Sequence, residues 1–386
     1  MTALTTTLSF LIGSLFPGET LPAQTPANVP AKARLDSLSR DKLVAWCIVP
    51  FDSKKRGPKE RAEMLKELGI KEFAYDWRAE HIPTFDQEVD ELNKAGIHLR
   101  AFWFPAGINS EAKAILSLIE RRKLDCELWV TLGEPAGKTQ EEKIHNTAKQ
   151  LAPIVAEAQK LGIKVGLYNH GGWFGEPENM LQVINTIGSK SVGIIYNLHH
   201  GHDHLDRLES ILTKTKDHLL CLNINGMDPK GDRVGRKILQ LGQGSEDQKI
   251  LEIIKKSGYQ GPIGVLGHTS HDARETLLDN LDGLEWLLGG AKGNAPKTRT
   301  PVPQAAKPPA NTDAFSALVA LYPGKDEFRK PPITVEWRGT LTKSDSFQVL
   351  VASDPKSSSF HWELFQKPGS GRLTLYVPGM TPDHVE

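Results

Sequence analysis

The 386-residue chain sets 47 Lys and Arg against 47 Asp and Glu, so it is formally neutral at pH 7. Bulk charge therefore recruits neither nucleic acid nor an anionic membrane surface, and no stretch is long and apolar enough for a transmembrane helix. The length allows a large buried core together with a second unit.

Residues 1–30 are unlike the rest. The short apolar run LSFLIGSLF (8–16) is followed by a small and Pro-rich segment, although no Lys or Arg precedes Lys32. This pattern predicts a secretory signal cleaved near Ala23, and with it export to the periplasm or the extracellular space; a disordered cytosolic tail is the alternative.

From residue 41 to 290, β-like apolar runs alternate with amphipathic stretches. LVAWCIVPF (43–51) reads as a first strand, and Pro58 then opens a helix that Gly69 closes. KEFAYDW (71–77) is a second strand, delivering Asp76, Trp77, Arg78 and His81; HLRAFWF (98–104) is a third. CELWVTL (126–132) is a fourth, with Glu134 in the loop beyond it. After a long helix over 140–161, KVGLYNHGGW (164–173) is a fifth strand ending in Asn169 and His170. VGIIYNLHHGHDH (192–204) is a sixth, an apolar run that empties into Asn197 and four histidines. Strands at 219–224 and 264–266 and a closing helix over 273–288 complete the series. Eight such units in about 250 residues predict a (β/α)₈ TIM barrel, whose site lies at the strand carboxyl ends. An open doubly wound sheet is the alternative, but no GxGxxG turn follows the first strand. Cys47, Cys126 and Cys221 fall within strands and read as buried free thiols.

The stretch 291–312 is rich in Pro, Ala and Lys and predicts an extended, unpacked linker. Residues 313–386 change grammar: ITVEWRGTL (333–341), SFQVLVASD (346–354), FHWELFQK (360–367) and RLTLYVPG (372–379) are short strands, a small or incomplete β-sandwich segment.

Three stretches carry a family likeness: LYNHGGW (167–173), YNLHHGH (196–202) and LGQGSEDQKILEIIKKSGYQGPIGV (241–265). They resemble the xylose-isomerase-like TIM barrels, the sugar (phosphate) isomerase/epimerase superfamily. The C-terminal strands resemble the start of a laminin-G or concanavalin-A-like jelly roll. The barrel resemblance implies a divalent metal held by Glu, Asp, His and Glu from strands five to eight. Matched position by position, those ligands fall at Tyr168, Asn197, Asn223, and Gly267 or His268, while the accompanying His170 and His200 survive.

The site residues follow. Seven of the 13 histidines (170, 199, 200, 202, 204, 268 and 271) fall at predicted strand ends. His170, His200 and His268 are candidate ligands for a divalent transition metal, since imidazole suits Zn, Fe, Ni or Cu. Alternatively His170 or His200, with Glu134, performs metal-free acid/base chemistry. Arg78 offers a fork for a phosphate or carboxylate, Trp103 and Trp173 offer faces to a sugar, and Asn169, Asn197 and Asn223 offer amides to its hydroxyls. The expected function is a sugar isomerase or epimerase, or a related carbohydrate lyase, with an atypical His- and Asn-lined site. The expected partner is a small sugar or glycan. A non-catalytic carbohydrate-binding or scaffold protein that has lost the metal is the rival reading.

Overall fold

A computed structural model describes residues 36–305 and, near the C-terminus, 348–352, 362–369, 372–377 and 384–385. The signal-like run at 1–30 and the predicted strand at 333–341 lie outside the described residues. The chain divides into two units, 1–306 and 307–386.

In the first unit eight parallel strands close into a barrel in sequence order. They are β1 (Leu43–Trp46), β2 (Glu72–Tyr75), β3 (His98–Phe104), β4 (Glu127–Val130), β5 (Lys164–Tyr168), β6 (Val192–Asn197), β7 (Leu219–Ile224) and β8 (Ile263–Leu266). β8 pairs back onto β1, Leu43 opposite Ile263 through Trp46 opposite Leu266. The helices are α1 (Pro58–Glu67), α2 (Phe85–Ala95), α3 (Ser110–Arg122), α4 (Gln140–Leu161), the single turn α5 (Gly172–Gly175), α6 (Pro177–Ile187), α7 (Leu208–Thr215), α8 (Asp247–Ser257) and α9 (Ala273–Leu288).

Strands buried on both faces need apolar side chains on both, which is why β1, β4, β6 and β8 are buried throughout. Helix boundaries follow local chemistry. Pro58 occupies the first turn of α1, and a reciprocal capping box between Thr139 and Glu142 opens α4. The buried Arg61 donates to both carboxylate oxygens of Glu88 at 2.9 and 3.1 Å, tying α1 to α2.

Strand alternation sorts side chains into two cores. The outer one lies between sheet and helices. The inner one fills the barrel with Val44, Trp46, Cys47, Ala74, Ala101, Trp129, Tyr168, Ile195, Cys221 and Leu266. Trp46 meets Trp129 and Tyr168 edge-on, with ring centroids 5.0 and 5.8 Å apart. β1 ends at Trp46, well short of the predicted residue 51, because Cys47 takes φ 57°, the left-handed region. That turn breaks alternation and puts the consecutive residues Trp46 and Cys47 both on the inner side. All three cysteines are free and buried, as expected.

The described part of the predicted linker is not unpacked. Asp279 of α9 accepts from the backbone N–H groups of Arg299 (2.7 Å) and Thr300 (2.8 Å) and from the Thr300 hydroxyl (2.6 Å). Gln240 donates to Thr300 and Pro301, and Gln243 donates to Pro296. Composition marked this stretch as irregular but could not show that its carbonyls and hydroxyls have buried partners waiting. The second unit contains β9 (Gln348–Ala352), β10 (Glu363–Gln366), β11 (Leu373–Tyr376) and the two-residue β12 (His384–Val385). They form an antiparallel sheet in the order β12-β11-β10-β9. Among the described residues no helix is long and apolar enough to cross a membrane.

Candidate active site at the carboxyl end of the barrel

The inner core ends in apolar side chains at Ala74, Ala101, Trp129, Tyr168, Ile195, Cys221 and Leu266. Two residues further along each strand, on the same face, stand Asp76, Trp103, Thr131, His170, Asn197, Asn223 and His268. This is the level at which the barrel interior turns from apolar to polar. Asp76, Asn197 and Asn223 are buried. Asp76 Oδ2, Thr131 Oγ1, both amide atoms of Asn197 and the Asn223 Nδ2 have no hydrogen-bond partner among the described residues. Tyr168 lies beside Trp46 and Asn197, yet the Asn197 amide and Trp46 Nε1 stay outside hydrogen-bonding geometry. Buried polar atoms without partners are uncommon, and several at one level of one cavity mark a place where a polar ligand or water completes them.

Above this level an arc of rings runs around the mouth. The Arg78 guanidinium lies 4.9 Å from the Trp103 ring centroid and 5.7 Å from that of Phe51. Phe51 stacks on His268 at 3.8 Å, and His268 meets His199 at 6.0 Å. His199 packs on His200 at 3.8 Å, His200 on His170 at 4.3 Å, and His170 meets Tyr168 at 6.2 Å. The arc thus joins residues from β3, β2, β1, β8, β6 and β5, elements scattered over more than half of the sequence. A cleft of about 440 Å³ opens beside Arg78, Trp77, Trp103 and Thr131.

The electrostatics keep the imidazoles neutral. Burial first, then the charges of His170 and Lys237, push His200 down to about 3. Burial and Lys237, with Arg78, push His268 down to about 4. His199 and His170 are lowered by burial and by the same lysine. Burial has the opposite sign for a carboxyl group and raises Asp76 to about 7, against the opposing pull of Arg78. The mouth therefore presents several uncharged proton acceptors at neutral pH and one carboxyl near half-ionisation.

Lys237, which composition and spacing do not single out, belongs to the long loop after β7. Asp247 ties the loop by accepting from the backbone N–H groups of Met227, Gly242 and Gly244 at 2.7, 2.7 and 3.0 Å. Gly226 pairs with Leu239, and Arg236 bonds Asp228. His202 faces the carbonyls of Asp228 and Lys237 with its two ring nitrogens. It therefore holds the lysine's backbone and does not line the cavity. His204 is likewise structural, sitting between the Tyr196 hydroxyl (2.9 Å) and Glu176 (3.2 Å).

Other expected site residues are placed differently. Glu134 is exposed at the rim and paired with Lys143 at 2.5 Å, so it is not a free base beside the histidines. Asn169 falls between the inward residues 168 and 170 and so points the other way. Its amide donates to the Asn197 carbonyl (3.1 Å) and accepts from the Asn197 N–H (2.6 Å), clamping β5 to β6 instead of meeting a ligand. Trp173 sits in α5, packs against the outer core and donates to Gln140 at 2.8 Å. The expected metal trio does not form a ligand set. His170, His200 and His268 share the mouth, but among the described residues no three His, Cys, Asp or Glu side chains have the geometry to hold a metal ion. The rings meet at tilted or edge-on angles, 47° between His170 and His200 and 80° between His199 and His268. The superfamily ligand positions do not fit a divalent ion either. Tyr168 is a buried phenol raised above its ordinary pKa by burial, and Asn197 and Asn223 are neutral amides.

A closed (β/α)₈ barrel with a polar mouth is the class of protein that these features define. Residues 62–288 match the family described as the xylose isomerase-like TIM barrel. The chain belongs to this family, and the barrel half of the sequence-based resemblance is thereby confirmed; the jelly-roll half finds no support. An uncharacterized protein of Methanocaldococcus jannaschii is 27% identical over 149 residues, 36% of this chain and 50% of that protein. The chain thus spans half the length of the curated relative it matches. The fold is similar to that of the IolI protein solved with a bound zinc atom, at TM-score 0.52 and 14% identity, covering 64% of this chain and 98% of that one. It is also similar to the probable 3-DHS dehydratase AsbF of Bacillus anthracis, at TM-score 0.52 and 12% identity, with 64% and 98% coverage.

Proposed function

We propose that the chain is a sugar isomerase/epimerase-like enzyme acting on a small polyhydroxylated carbonyl compound at the barrel mouth. One observation carries this reading: Asp76, Thr131, Asn197 and Asn223 hold buried polar atoms without protein partners at one level of the cavity, directly below the ring arc. A polyol matches that pattern, since each hydroxyl both donates and accepts. His170 and His200 are the proton-handling pair. Of the two, His170 takes the proton from the carbon next to a carbonyl and returns it, while His200, held near 3 by burial and so the weaker base, positions that ring 4.3 Å away. The zinc of the IolI structure is that protein's; the residues here do not suit such an ion, so no step is assigned to it.

A binding protein without catalysis is the second reading, favoured by Tyr168, Asn197 and Asn223 at the superfamily's ligand positions. Incubation with keto-sugars in D₂O separates the two. The enzyme exchanges the hydrogen next to the carbonyl, and His170→Ala lowers that rate by about a hundredfold or more. Saturable thermal stabilisation by a sugar, with no exchange for any member of the panel, would support the binder. Exchange that is undiminished in His170→Ala would remove the role given to the pair.

A further inference from the structure

The mouth carries two cations, Arg78 and Lys237, that make no ion pair with a carboxylate among the described residues. Arg78 NH1 donates to the backbone carbonyls of Asp76 (2.8 Å) and Trp77 (2.7 Å), which fixes the guanidinium. Trp77 Nε1 in turn donates to the Trp103 carbonyl at 2.6 Å, locking the neighbouring strand end. Trp103 and Phe51 flank the guanidinium. The edge bearing Nε and NH2 makes no hydrogen bond or ion pair among the described residues. Lys237 is exposed, its backbone is held by His202, and its charge reaches His170, His199, His200 and His268. Among the described residues it too pairs with no carboxylate. His268 feels both cations.

Most acids nearby are already engaged or withdrawn. Glu134 is bonded to Lys143, and Glu176 to His204 and Arg207. Glu111, which lines the cleft with Arg78, accepts only from the neutral Asn109 amide at 3.4 Å and pairs with neither cation among the described residues. Asp76 is fully buried beneath the arc. Elsewhere on the barrel, arginines such as Arg207, Arg233, Arg236 and Arg274 each reach a carboxylate. Two unpaired cations at one mouth raise the local concentration of anions, and a guanidinium with a free edge is shaped for an oxyanion.

We infer that the substrate is an anionic sugar, its carboxylate or phosphate bound between Arg78 and Lys237 over the Phe51–His268 stack, with its hydroxyls on Asn197 and Asn223. This rests on the mouth being the functional site proposed above. Uncharged sugars then bind the same pocket weakly.

The test uses the full chain and two matched pairs, D-glucuronate against D-glucose and D-fructose 6-phosphate against D-fructose, by calorimetric titration at low and raised salt. At least one anion binds roughly tenfold or more tightly than its neutral partner, and the advantage shrinks with salt. Arg78→Gln and Lys237→Gln each bring that ratio toward one, while Arg78→Lys retains part of it. Which pair shows the ratio tells a carboxylate from a phosphate. Equal affinities within both pairs, or ratios unmoved in both Gln variants, overturn the inference and leave the proposed sugar function standing. Inorganic phosphate supplies an independent reading through the ¹⁵Nε–¹Hε signal of Arg78, assigned by its loss in Arg78→Gln. A shift with phosphate but no binding of any sugar keeps the anion site and sinks the sugar function. No shift, together with no anion preference, sinks the inference alone.

Discussion

His170 and His200 stand 4.3 Å apart, ring centroid to ring centroid, although one follows β5 and the other lies in the turn after β6. Neither ring gains a carboxylate partner among the described residues, and both are lowered from the ordinary histidine pKa by burial first.

That arrangement has a signature in acid. Both rings, with His199 and His268, have folded pKa values below the ordinary one of about 6.5. Groups depressed in the folded state contribute stability that is whole above the unfolded value and drains away as pH falls toward the folded values, near 3 for His200 and 4 for His268. Thermal denaturation of chelator-treated protein should therefore show the melting temperature falling steadily below about pH 6.5. His200→Gln should flatten part of that fall. A melting temperature level from pH 7 to 4 would mean that the rings are protonated without penalty.

Asp76 behaves in the opposite sense. Its folded pKa, raised by burial to about 7, exceeds the ordinary carboxyl value of 3.8. Its contribution is thus complete below pH 3.8 and is lost as pH climbs through 7. Asp76→Asn should gain on the parent as pH rises from 3.8 to about 7, so its advantage should be larger at pH 8 than at pH 5. The check is urea denaturation at the two pH values; equal differences at both would rule out a titrating Asp76.

Gly264 is small for a reason that can be measured. A Cβ there would come within 1.6 Å of Asn223 Oδ1. Gly264→Ala should destabilise the chain by about 1–3 kcal/mol through overpacking. Asn223→Ala in the same chain should recover part of that loss, because the clashing amide is gone. A double-mutant cycle by chemical denaturation reads the coupling, and strict additivity would show that the two residues do not meet.

The segment after α9 contributes to the barrel. Ending the chain at residue 290 removes every partner that Asp279 finds in Arg299 and Thr300. A chain ending at 306 should be measurably more stable than one ending at 290. Thr300→Val in the full chain should cost about 1–2 kcal/mol for the lost hydroxyl bonds. Equal denaturation midpoints for the two truncations would contradict the packing.

Much of this architecture was legible in the residues. Apolar β-runs alternating with capped helices announce the barrel, and parity along each strand announces the inward set Asp76, Trp103, His170, Asn197, Asn223 and His268. Parity also sets Asn169 apart from a ligand: it sits one residue off the inner face and bonds the Asn197 backbone. Other features depend on contacts that no local pattern contains. Lys237 comes over the mouth only because Asp247, Asp228 and His202 fasten its loop. Glu134 is lost to the site because Lys143 meets it from the first turns of α4. Phe51 gains its place from the left-handed turn at Cys47, where extended strand was the simpler expectation.

The packing of Trp46, Trp129 and Tyr168 inside the barrel has one more consequence. It makes the basin shallow, so whatever enters rests close to the rim and cannot descend along the axis. Selectivity is then exercised by the connecting loops more than by the staves beneath them. A change of preferred guest would come from remodelling those loops, with the cylinder left intact.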